Sequence, residues 1–71
     1  MAPGFDALEY SRLRAAKRKF AQRDLHDETL DQRKDLFLED LMNVIDPTVQ
    51  KLVDKIEAMP TGDFWALYKT L

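Results

Sequence analysis

Few residues in this chain could do chemistry, and their spacing decides what kind. The one histidine, His26, lies in Asp24-Leu25-His26-Asp27-Glu28, a run that superficially matches a metal-ligand cluster. A metal site needs three or four converging donors, and the chain has no cysteine and no second histidine to supply them. His26 therefore reads as a loop residue beside helix caps. The one serine, Ser11, is far in sequence from His26, and with no cysteine at all the chain offers neither a serine–histidine triad nor thiol or disulfide chemistry. Glu28, Asp31, Asp35 and Glu39 recur at helical spacing. Paired carboxylates perform acid–base work only in a cleft that drives their pKa values apart, and so short a chain offers no such cleft. Two glycines cannot build a phosphate-cradling loop. The expectation is a non-enzymatic protein with no catalytic, cofactor or metal residues.

The charge distribution is the most informative feature. Between Tyr10 and Arg23 stand six cations, Arg12, Arg14, Lys17, Arg18, Lys19 and Arg23, with no acid among them. Residues 1–9 carry a charge of −2 and residues 24–71 carry −6, so the net −2 conceals a basic segment joined to an acidic body. Such asymmetry points to an interaction protein.

The elements that position these charges read as helices throughout. Strand alternation and Asn-Gly or Asp-Gly turns are absent from the sequence. With 71 residues the chain is long enough for one domain, residues 1–71, and the fold class is all-α: a bundle of three to four helices with short connections. A basic first helix is expected over about residues 6–23, capped by Asp6. A second spans about 28–45, with Leu30, Phe37, Leu38, Leu41, Val44 and Ile45 on its apolar face. Asp46-Pro47 opens a third over about 47–59, Asp46 capping and Pro47 at the first helical position. Its face is Val49, Leu52, Val53, Ile56 and Met59. A fourth follows over about 62–70, with Thr61 as its cap and Phe64, Leu67, Tyr68 and Leu71 on one side. Residues 30–71 hold 18 of the 25 large apolar side chains. The core is therefore assigned to helices two to four. The first helix, with its thin stripe of Tyr10, Leu13, Ala16 and Phe20, is expected to be a loosely committed arm completed by a partner or a second copy.

No apolar run approaches the ~20 residues that a membrane span needs, and residues 1–6 lack the charge and apolar run of a secretory signal. No membrane contact is expected, and the location is read as cytoplasmic, the host's cytoplasm if the chain is viral. The cysteine-free, glycine-poor composition is similar in style to the economical regulators of phages and mobile elements.

Two stretches invite a family comparison: Lys51-Leu52-Val53-Asp54-Lys55-Ile56 followed by Pro60 and Trp65, and Tyr10 followed by Arg12-Leu13-Arg14. Together with the chain length they resemble the Hha/YmoA family of small nucleoid-associated co-regulators. The chain departs from that pattern in the residues between Ile56 and Pro60, in the longer spacing from Pro60 to Trp65, and throughout the middle third. No functional residue is carried over.

The leading functional reading is a small adaptor or inhibitor that occludes a partner protein with an acidic and apolar surface. Its partner-binding residues are expected to be Arg12, Arg14, Lys17, Arg18, Lys19 and Arg23, joined by apolar residues off the core faces, Leu36, Met42 and Trp65. Tryptophan and methionine are enriched at such surfaces. The acidic row on the second helix is the internal competitor for the basic stretch, if the first two helices form an antiparallel hairpin. The alternative is a regulator that binds DNA, RNA or a nucleoid protein through the basic helix. Against that stand the negative net charge and the lack of an aromatic stacking platform. A homodimer would also suit so thin a core.

Overall fold

A computed structural model describes residues 4–44 and 46–71. Four helices follow in order, α1 (Ala7–Phe20), α2 (Leu30–Met42), α3 (Val49–Ala58) and α4 (Thr61–Thr70), and no strand occurs among the described residues. The all-α bundle anticipated from the sequence is present. A Cα radius of gyration of 11.3 Å matches the ~11 Å of a compact chain of this length. No helix among the described residues is long and apolar enough to cross a membrane.

Local chemistry sets each boundary. At the start of α1, Asp6 Oδ1 accepts from the Glu9 N–H at 2.8 Å, and Glu9 Oε1 accepts from the Asp6 N–H at 3.1 Å. This capping box satisfies two of the orphan donors at the helix start. The helix ends at Phe20, short of Arg23, because the next amides tighten onto carbonyls three residues back: Gln22 to Lys19 at 3.2 Å and Arg23 to Phe20 at 3.0 Å. A second capping box, Thr29 with Gln32, opens α2. The Glu28 carboxylate instead accepts from the His26 amide at 2.8 Å. The apolar-face assignment of Ile45 lies outside the described residues.

Two cap assignments need correction. Asp46 caps a turn rather than the helix itself. Its Oδ1 accepts from the Thr48 amide (2.9 Å) and hydroxyl (2.7 Å), so Pro47 and Thr48 form that turn and α3 starts at Val49. Thr61 is the first helical residue of α4 and not its cap, because its hydroxyl is spent on the Asp31 carboxylate.

The largest correction concerns α1. Leu13 and Ala16 are 0% exposed, and Phe20 is buried beside Phe37, ring centroids 5.8 Å apart, and Tyr68, at 5.9 Å. The core is shared by all four helices: Leu13, Phe37, Leu41, Leu52, Ile56 and Phe64 are its fully buried members. A thin stripe suffices because small Ala16 sits between Leu13 and Phe20 and admits close helix packing. The α1 stripe is thus covered from within the chain. Leu30, assigned to the core face of α2, is 59% exposed because it occupies the first turn, beyond the end of the packed layer.

Buried polar groups are partnered. Lys34 Nζ donates to the Met59 carbonyl at the end of α3 (2.6 Å), and Glu9 pairs with Lys55 at 2.8 Å. Among the described residues no buried side-chain nitrogen or oxygen lacks a hydrogen bond.

Truncating Leu13, 0% exposed, to alanine is predicted to cost about 2–5 kcal/mol. Leu30→Ala, at an exposed site, should change stability by less than about 0.5 kcal/mol. Urea denaturation of the two variants checks both, and a small Leu13→Ala effect would return α1 to the status of a loose arm.

Candidate functional site

The basic helix divides its cations into two groups. Arg12 reaches the α2–α3 connection, where its guanidinium pairs with Asp46, Nε donating to Oδ2 at 2.6 Å. Arg23 forks onto Asp40 of α2, Nε to Oδ2 at 2.8 Å and a terminal nitrogen to Oδ1 at 2.9 Å. Asp40 is only 2% exposed, so the bidentate geometry compensates a nearly buried carboxylate. Lys17 turns toward the end of α4, donating to the main-chain oxygens of Tyr68 (3.2 Å) and Leu71 (3.3 Å), with its ammonium 4.8 Å from the Tyr68 ring centre. A cation at a helix C-terminus complements the dipole there. Arg14, Arg18 and Lys19 are exposed and have no hydrogen-bond or ion-pair partner among the described residues.

Intramolecular pairing therefore exists, but not with the acidic row singled out on α2. The partners are Asp40 and Asp46, which lie off that row. Within the row, Asp31 accepts from the Thr61 hydroxyl and Glu28 from the His26 amide, while Asp35 and Glu39 are exposed. Asp40 interrupts the i, i+4 series of Asp31, Asp35 and Glu39 and faces inward. That offset is the signal that marks it as a structural carboxylate.

The apolar candidates separate as well. Leu36 is half-buried against the core. Trp65 packs with Phe64 (4.7 Å between centroids), Tyr68 (5.0 Å) and Phe20 (6.1 Å), and its indole N–H donates to the Leu30 carbonyl at 3.3 Å. Both residues serve the core's rim. Met42 is 60% exposed at the end of α2. Leu8, 48% exposed near the start of α1, was not foreseen as a surface contact. Its i, i+7 and i+11 relation to Ala15 and Lys19, both exposed, was readable on a helical wheel.

His26 stands exposed with Asp24 at 3.0 Å. Among the described residues no group of three or more His, Asp or Glu is placed to hold a metal ion. Arg14, Arg18 and Lys19 of the basic segment face outward on α1 with the half-exposed Leu8 beside them, as Asp35 and Glu39 do on α2.

The chain matches no protein-family model, no curated protein and no solved structure.

The Arg12 anchor carries a pH dependence. The Thr48 hydroxyl, then the Thr48 amide and then the Arg12 guanidinium lower the Asp46 carboxyl to about 2. A folded-state pKa below the unfolded one stabilises the fold fully above the ordinary aspartate value near ~4, and this contribution is lost as pH falls through the folded value. The Tm deficit of Asp46→Asn relative to the parent is therefore predicted to be complete above about pH 4 and to close as pH approaches about 2. Thermal melts across that range check it, and a constant deficit contradicts it.

Proposed function

We propose that the chain is a small non-enzymatic protein-binding module, a regulatory adaptor or inhibitor that occludes an acidic surface of a partner protein with the outer face of α1. The observation that carries this reading is the division of the α1 cations. Arg12, Lys17 and Arg23 are consumed within the fold, whereas Arg14, Arg18 and Lys19 are exposed with no partner among the described residues. A packed helix holding three unmatched cations outward is pre-organised for a charged surface, so little ordering entropy opposes association. Leu8 and Ala15 supply apolar contact between those charges. Such a face acts by steric occlusion and charge complementarity, which set association rate and selectivity.

Nucleic acid is the weaker fit to the same face. The phenylalanines are buried and the tryptophan is packed among them, so no stacking platform is presented. Three free cations would give a salt slope of only roughly −3, on a protein whose net charge is −2.

Affinity capture from lysate tests the proposal, comparing the parent with an Arg14→Glu, Arg18→Glu, Lys19→Glu triple variant at ~50 mM salt after nuclease treatment. The expected result is one stoichiometric protein retained by the parent and released by the triple variant. Retention of that protein by both, or retention that disappears with the nucleic acid, contradicts it.

A further inference from the structure

Within the outer face of α1, one place does more than display charge. Arg14, Lys17 and Arg18 stand at i, i+3 and i+4, so their side chains share one strip of the helix. That strip forms the wall of an open recess whose other lining residues are Ala21, just past the end of α1, and Leu71, just past the end of α4. The recess is held in shape by Lys17, whose ammonium ties α1 to the last turn of α4 through the Tyr68 and Leu71 oxygens.

Within the recess only Lys17 is matched, by the Tyr68 and Leu71 oxygens; Arg14 and Arg18 are not. No carboxylate side chain of the described residues contacts Arg14, Lys17 or Arg18. Like charges at helical neighbour positions repel. The dipole of α1 offers compensation to Lys17 and Arg18 in its last turn but little to Arg14, about one turn earlier, because the effect fades beyond the final turn. An anion arriving from outside would relieve that repulsion.

We propose that this recess receives a glutamate or aspartate side chain from an acidic, leucine-containing segment of the partner protein. The inference rests on the protein-binding reading of the α1 face and names the subsite within it. Arg14 and Arg18 are free to fork onto a carboxylate. Lys17, held on the α4 oxygens, fixes the wall beside them, and Ala21 with Leu71 provides an apolar floor for the methylenes and a neighbouring leucine. A nucleic-acid backbone is matched less well, because it presents phosphates in line with no apolar counterpart for that floor.

The test is a calorimetric titration of the full chain, at ~50 mM salt, with three ligands. They are a capped peptide repeating Glu-Leu-Glu-Glu-Leu, its glutamine-for-glutamate counterpart, and a single-stranded oligodeoxynucleotide of equal charge. The acidic peptide is expected to bind the parent, and its affinity to fall about tenfold or more on Arg14→Gln with Arg18→Gln, or on replacing its glutamates. Lys51→Gln, which removes an exposed cation on α3, should leave the affinity within about twofold. Both recess arginines are exposed, so the double variant keeps its fold, which its circular dichroism spectrum checks. Failure of the peptide to bind, equal binding by the double variant, or tighter binding of the oligonucleotide overturns the recess proposal. If the captured protein is nonetheless released by the triple charge reversal, the wider α1 reading survives and only the subsite falls. If the triple variant retains it, both fall.

Discussion

The structure depends on how little apolar surface α1 has to spend. Its anchoring stripe is Tyr10, Leu13, Ala16 and Phe20, and the rest of its circumference is dominated by charge. A helix docked by so narrow a stripe is held where every apolar residue is used fully. Leu13 and Ala16 are 0% exposed, and Phe20 locks into the edge-on ring cluster of Phe37 and Tyr68. Edge-to-face ring pairs add orientation to the area they bury. Once the stripe is committed, the fate of each cation is settled by whether an acceptor lies within reach.

Those acceptors come from recognisable places. Two carboxylates, buried Asp40 and half-buried Asp46, claim Arg23 and Arg12 and brace the α1–α2 hairpin at separate points. Helix C-termini claim lysines: Lys34 sits on the Met59 carbonyl at the end of α3, and Lys17 on the end of α4. Using cations from the first two helices to satisfy the ends of the last two ties the halves of the chain together without a disulfide. Arg14, Arg18 and Lys19 are what the fold leaves over. Exposed Asp35 and Glu39 make the outer face of α2 opposite in sign, so the molecule is electrostatically two-sided despite its small net charge.

Helix number, helix type and the inward faces of α3 and α4 were legible in the sequence because apolar spacing and proline punctuation act locally. Val49, Leu52, Val53 and Ile56 are buried as their period requires. The role of α1 was not legible. Counting apolar side chains undervalues a helix whose few large residues align, and the count takes no notice of Ala16, whose smallness allows the packing. Caps slipped by one or two residues because Asp46 bonds Thr48 in a turn ahead of the helix and the Thr61 hydroxyl goes to Asp31, 30 residues away. The basic segment is plain in the sequence, but its division is not. Arg12 and Arg23 lie 34 and 17 residues from their carboxylates, separations that only the folded hairpin closes.

Arginine Nε–H signals in a proton–nitrogen NMR spectrum report on the division of the α1 cations. Arg12 and Arg23 are predicted to show resolved, slowly exchanging Nε–H resonances, held by Asp46 and Asp40. Arg14 and Arg18 should exchange with water at the rate of an unprotected guanidinium. Protection at Arg14 or Arg18, or rapid exchange at both Arg12 and Arg23, would contradict it, because the outward face of α1 would then not be the one the fold leaves free.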